Sequence, residues 1–514
     1  MRRFIMILAT LLLVAPGFSQ EVVELPQPES NKIIVRLQFR AGSVCDPQGM
    51  EGLTYLTAQW VADGGTQEMT KSEIDDYIYP MAAGYGVSVD KEAVNFTFQF
   101  PTDFTAEFYP ILRDLLLNPR FDENDFNRVQ SRQLNYVTRS VKNSSDEDYS
   151  KVVLEHYLFE GKNYSHMVQG NEAGVNAITP EAAKAQWEKF FTKDNVLIGI
   201  AGNYDEAFKN QLVEDLQQLP GLEGELPTGE KAEMPSGIEV KIVSKPGAFG
   251  SAIYMGYPLD IDRSSDDFAA LMVANSWLGE HRKSYGQLYQ KIREIRSMNY
   301  GDYSYIEWYP AGSSNQLPLS GYPRNANYAS LWIRPVQLAS GLREQYEELS
   351  DVEVGHAMFA IRMALRTKQM MIDNGLSEED FARQRKFLRS YINLYVKSPM
   401  QRLGYLMDSR FYGRTDWINE VDAQLAELTV EEVNAAVKKY LQTENIMIAI
   451  ITSPEEASLL ARYFLEDIAS PMSYSNVVKE GLNDAVYAED AEVEDYPIKA
   501  ASVEIIDTKE LFVD

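Results

Sequence analysis

An α+β protein of two homologous domains, each a largely antiparallel sheet with helices packed on it, is the fold class that two features of the sequence predict. One is an internal repeat. Ile178-Thr179-Pro180-Glu181-Ala182 through Lys193-Asp194-Asn195-Val196-Leu197-Ile198-Gly199-Ile200 matches Leu428-Thr429-Val430-Glu431-Glu432 through Thr443-Glu444-Asn445-Ile446-Met447-Ile448-Ala449-Ile450 without a gap, Asn195 falling on Asn445. Both copies read as a Thr-capped amphipathic helix, a short loop and a buried strand. The other feature is order. In each half, extended segments with hairpin-like spacing come first and long amphipathic helices follow, which is the pattern of helices packed on an antiparallel sheet.

Taken in order, residues 1–19 begin with Arg2 and Arg3, run apolar from Phe4 to Val14 and end in small residues at Gly17 and Ser19. This is the pattern of a cleaved secretory signal peptide, and the apolar run is shorter than the ~20 residues a membrane span needs. Residues 20–218 form the first predicted domain. It opens with an extended segment at Ile33 to Arg40, then a helix from Leu53 with apolar residues at Leu56, Trp60 and Val61, stopped by Gly64-Gly65. Helical spacing continues at Leu112 to Leu117 and Phe126 to Arg139, whereas Gly84-Tyr85-Gly86 reads as a turn. Residues 219–237 carry Pro220, Gly221, Gly224, Pro227, Gly229, Pro235 and Gly237 among charges, which is linker composition. The second predicted domain, 238–469, starts with strands at Ile238 to Val243 and Ser251 to Tyr257, followed by helices at Val354 to Asp373 and Glu378 to Val396. The acidic tail 470–514 alternates weakly at Ser502 to Ile506, enough for an edge strand or for a crossing to a partner.

Composition narrows the function. A formal charge of −28, or −30 without Arg2 and Arg3, argues against nucleic-acid binding through phosphate contacts. With one cysteine, Cys45, there is no internal disulfide, and no stretch matches a nucleophile elbow. The four histidines, His156, His166, His281 and His356, form no recognised ligand spacing and read as surface or satisfied core residues; His281 also precedes a motif described below.

The helix Gly52-Leu53-Thr54-Tyr55-Leu56-Thr57-Ala58-Gln59-Trp60-Val61-Ala62-Asp63-Gly64-Gly65-Thr66 resembles the first helix of the pitrilysin/insulinase family of zinc peptidases, a subset of the inverzincins. There the stretch reads approximately G-L-A-H-F-L-E-H-M-L-x-x-G-T: two histidines bind zinc and the glutamate between them is the general base. On this chain those positions are Tyr55, Ala58 and Gln59. The family's third ligand is a glutamate on a later helix resembling Tyr149-Ser150-Lys151-Val152-Val153-Leu154-Glu155; one register places Lys151 there, and a shift brings Glu155 nearer. Both histidines and the base are missing, and even that shift leaves one carboxylate where catalytic zinc takes three protein ligands, so the resemblance implies no metal and no catalytic residue in this chain.

The second motif is retained. Leu288-Tyr289-Gln290-Lys291-Ile292-Arg293-Glu294-Ile295-Arg296-Ser297-Met298-Asn299-Tyr300 resembles the family's L-x-x-x-L-R-E-x-x-G-L-x-Y, with Ser297 where glycine is usual. In the family this arginine and tyrosine bind the substrate backbone opposite the zinc, so the resemblance implies that Arg293 and Tyr300 bind peptide. A guanidinium and a phenol can both donate hydrogen bonds to carbonyls; as structural residues they would be a helix-end cation and a strand-start aromatic. Downstream, Tyr303, Tyr305, Trp308, Tyr309, Tyr322, Tyr328 and Trp332 suit either an aromatic groove or the filling of a sheet.

The resemblance also implies a half-clam of mitochondrial-processing-peptidase type, in which one subunit carries zinc and the other supplies the arginine and tyrosine. The expectation is an exported, periplasmic or secreted, non-catalytic subunit that binds peptide and completes the active site of a zinc-bearing homologous subunit. Two other functions fit the residues: a structural or assembly protein using the fold as an interaction surface, and a peptidase with an unconventional metal site.

Overall fold

The computed structural model describes residues 20–309, 317–396 and 398–514, so the expected signal peptide lies outside the described residues. The first half comprises β1 (Val22–Pro26), β2 (Lys32–Phe39), α1 (Leu53–Gly64), β3 (Gly84–Val89), β4 (Val94–Pro101), α2 (Glu123–Asn135), α3 (Asp146–Leu158), α4 (Pro180–Phe190) and β5 (Val196–Gly202), with a further helix at Thr105–Leu117. The second comprises β6 (Ile238–Ser244), β7 (Gly250–Pro258), α5 (Phe268–Gly279), β8 (Asp302–Tyr305), β9 (Tyr328–Gln337), α6 (Ala357–Asn374), α7 (Pro399–Phe411), α8 (Val430–Tyr440) and β10 (Ile446–Thr452), with a further helix at Glu378–Tyr395. The tail adds α9 (Asp484–Glu494) and β11 (Ser502–Asp507).

The repeat seen in the sequence is a repeat of topology. The first sheet has the order β1-β5-β2-β4-β3, and the second has β6-β10-β7-β9-β8 with β11 added outside β6. In both, the central pairs are antiparallel, while β1 and β6 run parallel to β5 and β10. The architecture is therefore α+β with two homologous units. The Thr179 and Thr429 side chains cap α4 and α8 by accepting from the backbone N–H three residues on, as their threonine-first pattern demands.

Both faces of the second sheet are covered. In β10, Ile446, Ile448 and Ile450 enter one core with Phe268, Leu271 and Phe359, while Met447, Ala449 and Ile451 enter another with Val153 and Leu154. That period of two places α3, a helix of the first half, across β7 and β10. Reciprocally, α7 of the second half lies on β1 and β5, where a Cβ at Gly199 would stand 2.3 Å from Met407 Sδ. A side chain there would force Met407 to move aside.

Two expectations change, and the open one for the tail is resolved as an edge strand. Gly84-Tyr85-Gly86 is strand rather than turn: it pairs with Phe98 and its neighbours on the sheet's edge, where Tyr85 stacks on Phe98 and bridges the weakness that glycine brings. The helix expected from Phe126 to Arg139 is regular to Asn135 and widens into a π turn at Tyr136–Ser140. The tail folds back onto its own chain: β11 pairs in parallel with β6, and beyond it Phe512 and Val513 accept hydrogen bonds from Glu172 and Ala173 of the first half.

Candidate functional site

Asp46 seats α1 by accepting from the backbone N–H groups of Gly52 and Thr54, each at 2.7 Å, and His166 Nε2 lies 3.2 Å from the same carboxylate. Along that helix the three positions matched to the family's two histidines and its base diverge. Ala58 is fully buried in the core. Gln59 Oε1 accepts from Arg132, which also pairs with Asp63 at 2.6 Å on the outer surface. Tyr55 is half-buried, and desolvation raises its phenol pKa.

Lys151, on α3, has gone elsewhere. Its ammonium is buried, 4.5 Å from the centre of the Trp308 ring, with no hydrogen-bond partner among the described residues. Glu155, one turn on, is consumed by an ion-pair cluster. Arg324 donates to Glu155 at 3.1 Å and grips Asp90 through two bonds of 2.7 and 2.9 Å; Lys91 reaches Glu155 at 3.2 Å and the carbonyls of Tyr164 and His166. Burial pushes the Glu155 carboxyl up, but Arg324, Lys91 and Lys151 outweigh it and hold the pKa at about 2. For Lys151 burial wins, bringing the pKa down to about 7 although Glu155 pulls upward.

These residues do not fit a zinc ion. Of the two histidine positions, Tyr55 presents a phenol whose pKa desolvation raises and Gln59 an amide oxygen taken by Arg132; Ala58 offers no base, Lys151 presents a cation, and the Glu155 carboxylate is spent on its own cations, so no three-ligand set forms. Among the described residues no group of three or more His, Cys, Asp or Glu side chains could hold a metal. Of the histidines, His156 contacts the Ser165 carbonyl at 3.1 Å, His356 the Ser473 carbonyl at 2.9 Å, and His281 Nδ1 the Tyr305 hydroxyl at 2.8 Å.

The lowered pKa of Lys151 has a measurable sign. Unfolded, the amine stays protonated up to about pH 10.4; folded, it does so up to about 7. Between those values the unfolded chain binds more protons, so this group's contribution to stability improves with rising pH and is worst below 7. Lys151→Met is therefore expected to stabilise the protein by on the order of 2 kcal/mol at pH 6, the gain shrinking towards pH 10. Urea midpoints of the two proteins at both pH values check it; equal midpoints at pH 6 would refute it.

The retained motif begins on a π turn, Tyr289–Glu294, anchored by Leu288 and Ile292 in the core. Its other cations are engaged by the tail. Buried Arg296 binds Asp490 and Glu489 of α9, each at 2.8 Å, and Lys291 pairs with Glu489. Arg293 points outward instead, pairing with its neighbour Glu294 and lying 5.3 Å from the Tyr289 ring. Tyr300 is 79% exposed, its ring 6.0 Å from Arg334, which in turn pairs with Glu147 of α3. The two predicted binding residues therefore share an accessible stretch but have different neighbours.

Ser297, in the glycine position of the motif, adopts φ +54°. The turn survives the substitution at the energetic cost of a left-handed non-glycine residue. Ser297→Gly is expected to raise unfolding free energy by about 1 kcal/mol, read as a higher urea midpoint; a lower midpoint would contradict the assignment of strain.

The aromatic segment divides. Tyr303, Tyr305, Tyr309, Tyr328 and Trp332 are buried, several around His281, and fill the sheet. Trp308 and Tyr322 instead line a cavity of about 460 Å³ with Tyr136, Lys151, Met167 and Arg324. Sequence reasoning missed Asp90, Lys91, Trp308 and Arg324 as members of one site. Three consecutive charges, Asp90-Lys91-Glu92, between two strands were the available signal, since a tight hairpin seldom needs them.

Comparison with known proteins agrees with this architecture. Residues 22–168 match the insulinase family (peptidase family M16), and residues 177–331 match the peptidase M16 inactive domain. A non-peptidase homolog, YmxG, from Helicobacter pylori is 21% identical over 428 residues, spanning 82% of this chain and 89% of its own. The crystal structure of a peptidase M16 inactive domain from Pseudomonas fluorescens superposes with a TM-score of 0.71 at 18% identity, covering 85% of this chain and 96% of that one. A structure described as a protease from Helicobacter pylori gives 0.68 at 13% identity, covering 84% and 97%.

Proposed function

Because this chain belongs to the insulinase family, peptidase family M16, and its metal positions hold no zinc-binding set, we propose that it is the non-catalytic, substrate-binding subunit of an exported, heteromeric zinc peptidase. In this reading 1–19 is the signal peptide, 20–218 and 238–469 are the two peptidase-like domains joined by 219–237, and a zinc-bearing homologous subunit closes over them. Arg293 and Tyr300 donate hydrogen bonds to the peptide's carbonyl oxygens, holding it for hydrolysis at the partner's metal. The observation that carries the reading is the exposure of Tyr300, 79%, in a motif whose other aromatic and charged side chains are packed or paired and in which only Ile295, 37%, is otherwise an exposed large apolar residue. An aromatic so exposed contributes little to its own fold and is available to a ligand. The likeness to a non-peptidase homolog supports the non-catalytic part.

Peptide hydrolysis should be measured for the purified chain, for a zinc-bearing homologue, and for their mixture. The chain alone is expected to be silent, the mixture to exceed the homologue, and Arg293→Ala to remove that excess. Undiminished activity with both Arg293→Ala and Tyr300→Phe would favour a purely structural role. Chelator-sensitive hydrolysis by this chain alone would overturn the proposal.

A further inference from the structure

The cavity beside Lys151 is a second candidate site, and it involves neither Arg293 nor Tyr300. Its volume, about 460 Å³, lies in the range of small-molecule sites and far exceeds the space of one water. Part of its wall is apolar, from Val89, Val141, Val152, Met167 and Val168. Trp308 closes one side, its ring 4.5 Å from Lys151 Nζ and 4.1 Å from the Arg324 guanidinium.

The three cations of that wall differ in one respect. Lys91 is bound by Glu155 and the carbonyls of Tyr164 and His166, and Arg324 by Asp90 and Glu155. Lys151 Nζ, equally buried, has no hydrogen-bond partner among the described residues, although it fronts the cavity. A desolvated ammonium with three unused donors creates a demand for an acceptor. Its charged and titratable surroundings are Asp148 and Glu155 on its own helix, Asp90 and Lys91 from the β3–β4 turn, Arg324 from the second half, and His166 on the cavity wall. Those acids disfavour a dianion, and the valine and methionine wall favours an apolar body.

We infer that this cavity binds a small organic monocarboxylate, whose oxygens accept hydrogen bonds from Lys151 Nζ while its apolar part packs against Trp308 and the valine wall. The ion pair moves a proton onto the amine when it is neutral: the carboxylate binds, Lys151 takes one proton from solvent, and charge balances. Two sources supply this chemistry, the C-terminal carboxylate of a short peptide and a free aliphatic or aromatic acid. The lowered pKa of Lys151 agrees with the inference, since binding above pH 7 should draw in that proton.

The test uses the purified full chain without any partner, so its result is independent of the proposed function. Calorimetric titration compares N-acetyl-leucyl-phenylalanine, the same dipeptide as its C-terminal amide, and 3-phenylpropionate. At least one acid is expected to bind, the amide at least tenfold more weakly than its acid, and Lys151→Met to weaken acid binding at least tenfold. At pH 8.5 the binding heat is expected to vary with buffer ionisation in the sense of proton uptake. Binding of the peptide acid alone identifies a peptide terminus as the source; binding of 3-phenylpropionate alone identifies a free acid; binding of both establishes the shared chemistry. Should Lys151→Met fail to fold, protection of Lys151 from reductive methylation, read by peptide mass spectrometry, replaces it, with protection expected from an acid and none from the amide. No binding by either acid, equal binding of acid and amide, undiminished binding by a folded Lys151→Met, or equal methylation with and without the acid would overturn the inference.

Discussion

Arg324→Met is expected to lower unfolding free energy by about 3–5 kcal/mol, the range for breaking a buried pair by removing one partner. Its guanidinium, from the second half, is buried and bound twice to Asp90 and once to Glu155 of the first, so the methionine would leave Asp90 desolvated without its cation and Glu155 with Lys91 as its remaining ion-pair partner. The loss should depend on pH. In the wild type Glu155 titrates at about 2, well below the usual carboxylate value, so its contribution is complete above about pH 4.5 and fades as pH falls towards 2. Without Arg324 that carboxyl is expected to titrate higher, and the variant's acid unfolding should begin at higher pH. Urea unfolding followed by circular dichroism at pH 7 and pH 4 measures both effects. Adding Asp90→Asn to Arg324→Met should restore part of the loss, because it removes the carboxylate that Arg324 alone had paired. A midpoint within experimental error of wild type would show that the cluster contributes nothing net.

Deleting residues 501–514 should have an effect of similar size. The deletion removes β11 and the returning segment, whose Ile506, Leu511 and Phe512 are buried. At about 1.5–3 kcal/mol for each large apolar side chain, the loss is roughly 5 kcal/mol. The segment also joins the halves: Thr508 meets Tyr149 of α3 at 3.0 Å, and the Phe512 ring packs edge-on to Tyr149 and His156. Its removal exposes the outer edge of β6 as an open pairing surface. A lower urea midpoint and a new tendency to associate, seen by light scattering, are expected. A truncated chain that is monomeric and as stable as the full one would refute the bridging role.

Much of the fold was legible because a duplicated chain repeats its local rules. The offset between Asn195 and Asn445 locates α4, α8, β5 and β10 to the residue, since each copy carries the same threonine cap and buried strand. The residues Tyr55, Ala58 and Gln59 were equally legible as departures from the family's motif, because three identities on one helix decide it. Long-range pairing was not. Arg324 and Asp90 are 234 residues apart, and no local pattern distinguishes a charge that will be buried from one that stays in water. Lys151 was read as a vacancy in a motif. Its meaning depends on Trp308, which the fold brings over it from the second half. Gly84-Tyr85-Gly86 misled for the opposite reason, since glycine is tolerated at a sheet edge when an aromatic between two of them finds a cross-strand partner.

The exchange of α3 and α7 has an evolutionary and practical consequence. Each half sends one helix onto the other's sheet, the geometry of a symmetric dimer in which the same surface is used twice. The chain can be understood as such a dimer whose subunits have become covalently joined and have since diverged. Cleavage within 219–237 would then yield not two autonomous proteins but two complementary fragments, each carrying the missing layer of the other.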